Sequence, residues 1–188
     1  MNGIEFQKFP KIPRLFRTCV ITEKIDGTNA QIKITPDGLV VAGSRNRYIT
    51  PEDDNHGFAA WVRDHREELL GLGVGTHYGE WYGCGINRNY GLSEKRFALF
   101  NTFKWGDCES RPACCGVVPV LFQGEFSEVA VRICLLNLEN FGSVAAKGFM
   151  KPEGVVVYHE AAGQYFKVTL ENDGRPKGAT NEAIHVKT

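Results

Sequence analysis

"VITEKIDGTNAQ", residues 20–31, is the stretch on which the fold of this chain turns. It begins as a buried strand at Val20 and Ile21, and after Gly27 the run "TNAQIKIT" alternates polar and apolar residues as a half-buried strand does. Between the halves stand Glu23, Lys24 and Asp26, three charges where a strand interior has little use for them. Gly27 permits a sharp turn or a close approach of the backbone to a ligand. The stretch therefore reads as one strand meeting the next at a charged turn. Lys24 is then either an exposed side chain beside that turn or the nucleophile of an enzyme.

Working outward, "RTCVITEKI", "TNAQIKIT" and, after the turn "PDG" at 36–38, "LVVAGS" predict a meander of three strands. Phe58, Trp61, Val62, His65 and Leu69 recur at helical spacing, with Asp54 or Asn55 as the cap and Gly71 as the stop. "HYGEWYG" and "KRFALFNTFKW" read as two further strands joined by the glycine-rich, arginine-bearing loop "CGINRNYGLSE". Pro119 assigns "VVPVLFQGEF" to an edge or a strand start, and Ser127 opens a helix that closes at Gly142. "EGVVVYH" and "QYFKVTLEN" form a hairpin around "EAAG", and residues from about 172 to 188 are a polar tail. There is no internal repeat. The expected class is α+β, mostly antiparallel sheet with helices packed on it, in one domain over 1–188.

Lysine plus arginine and aspartate plus glutamate number 22 each, so no global basic field gathers nucleic acid from a distance. Local patches must do that work. One candidate is "KFPKIPRLFR", where Lys8, Lys11, Arg14 and Arg17 stand three apart; a solvated entry strand has the same spacing. No apolar run is long enough to span a membrane, and the first residues lack the order of a signal peptide, which predicts a cytoplasmic protein with no membrane partner. The six cysteines include no paired C-x-x-C hooks, so zinc is not indicated, and "CESRPACC" reads as reduced thiols. The five histidines show no metal spacing, and His77 at a strand start reads as structural. Arg88, between Asn87 and Asn89, is a substrate contact or part of a turn-prone loop.

Lys-x-Asp-Gly alone is a weak signal. A lysine amine is overwhelmingly protonated near neutral pH, so a nucleophilic lysine needs burial, a metal or a second cation beside it. Other stretches should supply that help. "EKIDGTNA", "GSRNR", "HYGEWYG", "FALFN", "PEGVVVYH" and "FKVT" occur in the order and near the spacing of the motifs of covalent nucleotidyltransferases. In this ordered set, spanning Thr22 to Thr169, the sequence resembles the small ATP-dependent RNA ligases.

The resemblance implies an ATP-grasp-like adenylation domain with ATP and Mg2+ or Mn2+ as cofactors. Lys24 would attack the α-phosphorus of ATP and hold AMP. Asp26 would contact the sugar or orient the lysine, and Glu23 and Gly27 complete the nucleotide-binding motif. Arg45, assisted by Arg47, would meet the ribose or a 5′-phosphate, Glu80 the ribose hydroxyls, and Phe100 the adenine face. Glu153 would hold the divalent metal, directly or through water, and Lys167 would neutralise the α-phosphate and favour the neutral amine of Lys24.

Two departures accompany the resemblance. Thr169 stands where many relatives carry a second lysine, and only 21 residues follow Lys167, so no OB-fold domain is expected. The implied activity is repair of RNA by joining 5′-phosphate and 3′-hydroxyl ends, with DNA as an alternative partner and an end-healing enzyme as a possible companion. A DNA ligase, a GTP-dependent capping-type nucleotidyltransferase and a non-catalytic nucleotide- or RNA-binding module are the competing readings.

Overall fold

The fold is a computed structural model that describes residues 5–107 and 109–171. Cys108, His185 and the polar tail from about 172 lie outside the described residues. Strand β1 (Thr18–Lys24) does follow from Val20 and Ile21, and β2 (Thr28–Ile34) follows from the alternation after Gly27. They do not pair, so the predicted meander of three strands is corrected. β1 lies in a four-stranded sheet of order β7-β1-β8-β9, whereas β2 lies in a five-stranded sheet of order β3-β2-β4-β5-β6. Ile25, Asp26 and Gly27 carry the chain from one sheet to the other, and Ile25 is buried among Tyr82, Tyr90, Ala98, Val118 and Ala146. Burial of Ile25 between the sheets removes the room a hairpin turn would need.

The second sheet contains β3 (Val40–Gly43), β4 (Gly75–Gly83), β5 (Lys95–Leu99) and β6 (Cys115–Val117), all antiparallel pairs except β5 with β6. One face buries Ile32, Ile34, Trp81, Phe97 and Leu99 against helix α1 (Phe58–Asp64). The predicted helix over 54–71 is interrupted: α1 stops at His65, α2 (Arg66–Leu69) follows, and a 3-10 turn runs over Leu70–Leu72 to Gly73. The break falls at His65, whose φ of −105° and ψ of 16° leave the helical region; its ring Nδ1 and its backbone N–H both reach the Trp61 carbonyl, at 2.9 and 3.0 Å. Asp54 does cap the helix, its carboxylate accepting from the N–H groups of Ala59 at 2.7 Å and Ala60 at 3.0 Å.

"KRFALFNTFKW" is likewise strand only as far as Leu99. Asn101 accepts a hydrogen bond from the Lys104 N–H and opens the short helix α3 (Thr102–Trp105), leaving Phe103 fully exposed. In the first sheet, β7 (Val120–Glu125) follows Pro119 as an edge strand, and β8 (Gly154–His159) and β9 (Gln164–Thr169) form the expected hairpin. Helix α4 (Glu128–Phe141) has Ser127 as its cap and ends at Gly142. It buries Ala130, Val131, Cys134 and Leu138 against Cys19, Ile21, Val155 and Val157. No helix among the described residues is long and apolar enough to cross a membrane.

Candidate active site

Lys24 is the last residue of β1, and its register partner on β8 is Gly154, the residue after Glu153. The pairing sets a buried carboxylate beside the amine: Lys24 Nζ donates to Glu153 Oε2 at 2.6 Å. Gly154 has φ of 151°, and a Cβ there would lie 2.2 Å from the Val168 carbonyl oxygen. Glycine is thus required where β8 starts between β1 and β9.

The loop from Cys84 to Leu92 folds over the Lys24–Gly27 turn. Arg88 Nε donates to one oxygen of Asp26 at 3.2 Å, and Asn87 Nδ2 donates to the other at 3.1 Å and to the Gly27 carbonyl at 2.5 Å. The phenol oxygen of Tyr90 accepts from the Asp26 N–H at 2.8 Å. Asn87, Asn89 and Tyr90 all have positive φ, a conformation that non-glycine residues hold only where the surroundings enforce it. Composition marks this loop only as turn-prone, and its grip on Asp26 joins residues 61 positions apart in sequence.

Glu80 lies on β4 opposite Asn29 and Ala98, on the face of the second sheet away from α1. Its Oε1 accepts from the Gly27 N–H at 3.0 Å, which ties it to the turn after Lys24. One row along the same face, a cavity of about 140 Å3 is lined by Asn29, Gln31, Ser44, Arg45, Tyr78 and Phe100. Arg45 and Phe100, 55 positions apart in sequence, thus meet at one hollow, whereas Arg47 turns to an ion pair with Asp53. Burial pushes the Glu80 carboxyl up to about 7, against the lowering effect of the Gly27 N–H and the charge of Lys24. A raised carboxyl costs stability once ionised: the folded state holds the proton more tightly than the unfolded one, so stability falls as pH rises between about 4.5 and about 7. Glu80→Gln, which keeps an acceptor for Gly27, is therefore expected to gain on the order of 2 kcal/mol over the wild type at pH 8 and almost nothing at pH 4.5. Thermal melts of both proteins across that range check it, and a gap independent of pH would sink the idea.

Lys167 and Thr169 project from β9 onto the same sheet face as Lys24. In register, Lys24, Gly154 and Thr169 form one row, and Thr22, Val156 and Lys167 form the next. Glu23 faces the other way. Its buried carboxylate accepts from the Ser143 hydroxyl at 2.5 Å and from the N–H groups of Val144 at 2.8 Å and Ala145 at 2.9 Å. Strand alternation puts it on the α4 side, opposite the face of Lys24, where it anchors the 143–146 turn. Burial raises the Glu23 carboxyl while those three donors lower it. Glu23→Ala strands the buried Ser143 hydroxyl and the part-buried Val144 and Ala145 N–H groups, and a loss of about 2 kcal/mol in urea unfolding is the expected result. His77, as read from the sequence, is structural, its Nε2 lying 2.9 Å from the Gly73 carbonyl. The basic residues Lys8, Lys11, Arg14 and Arg17 are exposed on an irregular arm before β1.

At the crossing between the two sheets the structure thus brings together Lys24, the buried Glu153 carboxylate and Glu80, whose carboxylate on β4 accepts from the turn that follows the lysine. The RNA ligase family profile matches residues 17–169, and the chain belongs to that family. Among curated proteins no relative matches. Solved structures similar to the chain include Naegleria gruberi RNA ligase as an Arg-to-Ala variant with ATP and Mn, at TM-score 0.63 and 20% identity, covering 82% of this chain and 50% of that one. A Lys-to-Met variant with AMP and Mn gives TM-score 0.61, again at 20% identity and with 82% and 50% covered. An apo Lys-to-Ala variant gives TM-score 0.60 at 20% identity, with 81% and 49% covered. The chain spans about half the length of these solved relatives.

Proposed function

We propose that the chain is an ATP-dependent RNA ligase core, an adenylation domain that joins 5′-phosphate and 3′-hydroxyl RNA ends by way of AMP held on Lys24. The observation that carries this is the Lys24–Glu153 contact at 2.6 Å at the crossing of the two sheets, inside a fold shared with RNA ligases solved with ATP and Mn. The Lys24 nitrogen forms a bond to the α-phosphorus of ATP while the bond to the pyrophosphate oxygen breaks, and the amine proton passes to solvent. The 5′-phosphate oxygen of RNA then takes the AMP, releasing Lys24, and a 3′-hydroxyl displaces AMP to leave a phosphodiester.

The residues divide the work by position. Phe100 and Arg45 line the hollow for base and ribose, Glu80 accepts from ribose hydroxyls, and Lys167 neutralises phosphate from the adjacent row. Asp26, gripped by Asn87 and Arg88, fixes the direction of the Lys24 turn. Thr169 contributes a hydroxyl, not a charge, in the row of Lys24, so phosphate neutralisation rests on Lys167 and the arginines. Among the described residues no three His, Cys, Asp or Glu side chains are placed to hold a metal. That fits Mg2+ or Mn2+ bound mainly by water and phosphate oxygens, with Glu153 as the protein's carboxylate. Bound there, the ion supplies charge to the phosphates of the nucleotide. Ends of this chemistry imply an end-healing enzyme upstream.

Incubating the protein with α-labelled ATP and Mg2+ or Mn2+ tests the reading. Label should stay on the denatured chain, ATP should compete better than GTP, and an RNA with 5′-phosphate and 3′-hydroxyl ends should be joined in preference to DNA. Absence of label on the wild-type chain overturns it.

A further inference from the structure

The sheet face that carries Lys24 continues beyond it. Residues two apart on a strand share a face, so a third row, Val20, Tyr158 and Tyr165, follows the rows of Lys24 and Lys167. α4 seals the opposite face, but this one is open: Val20, Thr22, Val156 and Tyr158 are only partly buried, Lys167 is exposed, and Tyr165 is 64% exposed. The rings of Tyr158 and Tyr165 lie against each other, centroids 4.7 Å apart at 38°. Rows are about 7 Å apart, which puts the tyrosines about 14 Å from the Lys24 row with Lys167 between. That distance is about four nucleotides at the helical rise of one strand, and fewer when the strand is extended. Glu125, opposite Thr18, stands on the same face one row further and ends the favourable stretch with a negative charge.

A cross-strand tyrosine pair stabilises a hairpin by itself. Hairpin stability accounts for the contact between the rings. It does not account for an open aromatic surface in line with a lysine and the proposed nucleophile. Flat aromatic faces beside a cation are what a single-stranded polynucleotide uses, through stacking and charge.

We propose that this face is a landing shelf for the single-stranded RNA segment carrying the 5′-phosphate, with a base stacked on Tyr165, the ring of Tyr158 behind it, and the backbone running past Lys167 to Lys24. The charge complementarity of Lys167 and the continuity of the face with the Lys24 site select this occupant. The inference rests on the ligase reading for the meaning of Lys24 but is tested separately from it. Fluorescence anisotropy with a short 5′-phosphorylated single-stranded RNA should show Tyr165→Ala binding about tenfold more weakly than the wild type. Joining should fall similarly at low RNA and recover at high RNA, while AMP labelling of the chain stays unchanged. Tyr165→Trp should bind at least as tightly as the wild type, and Tyr165→Leu, which keeps an apolar partner for Tyr158, as weakly as the alanine variant. Wild-type affinity in Tyr165→Ala or Tyr165→Leu, or no RNA binding by the wild type, overturns the shelf. Failure of the ligase reading appears instead as no AMP label, and the binding series still reads the shelf in that case.

Discussion

Lys24→Ala is expected to take up no AMP from ATP, with label on the denatured chain at background in Mg2+ and Mn2+ alike. On the proposed mechanism the variant lacks the attacking amine, and Lys167, the other lysine proposed for the site, lies one row and two strands away. Lys24→Arg is expected to be equally inactive, because a guanidinium stays charged and has no free electron pair to offer. The alanine variant has a second signature. It removes the ammonium 2.6 Å from the buried Glu153 carboxylate, and loss of one partner of a buried ion pair costs about 3 kcal/mol. Adding Glu153→Gln should recover a large part of that loss without restoring label. Full labelling of Lys24→Ala would dismiss this lysine as the nucleophile, and a double variant no more stable than the single one would dismiss the ion pair as a structural contact.

Gly27→Ala should be among the most damaging additions of a single methyl group to the described residues. Its Cβ would sit 2.4 Å from the Trp81 carbonyl oxygen, 2.8 Å from Tyr82 Cβ and 3.0 Å from Glu80 Cγ. All three belong to β4, which is paired on both sides and whose backbone has little freedom to yield. The turn must move instead, and the Gly27 N–H bond to Glu80 and the Asn87 bond to the Gly27 carbonyl go with it. A loss of about 3 kcal/mol in denaturant unfolding is expected from overpacking of this kind. AMP labelling should also fall in the fraction that remains folded, since Lys24 lies three residues from the displaced backbone. Labelling at the wild-type level with stability changed by less than about 1 kcal/mol would show that the turn is not held as described.

Much of this architecture was legible in the sequence because it rests on local rules. Ser127 and Gly142 bound α4 through a hydroxyl cap and a positive-φ glycine, alternation marked β2, and the turn "EAAG" marked the hairpin of β8 and β9. The predicted meander failed because periodicity identifies a strand without naming its partner. Nothing local distinguishes a hairpin turn from the crossing at Ile25–Gly27. The helix over 54–71 kept its apolar spacing but broke at His65, where the backbone leaves the helical region, a local change of dihedral that spacing cannot reveal. For the site, an ordered set of motifs brought forward Lys24, Glu80, Glu153 and Lys167 together. The role of Glu23 was obscured because its partners, Ser143 to Ala145, come 120 residues later. Asn87, Arg88 and Tyr90 were hidden for the same reason: a loop whose composition suits any turn gives no sign of which turn it clasps.

The crossing of β1 into β2 has a geometric consequence. The chain passes from the middle of one sheet to the second through three residues here, and back again through Val118 and Pro119 between β6 and β7; Lys24 is the last residue before the first passage. Glu153 stands beside it on the first sheet and Glu80 across from it on the second. The amine is thus placed by the chain itself, whereas the gap between the two carboxylates is set by how the sheets pack.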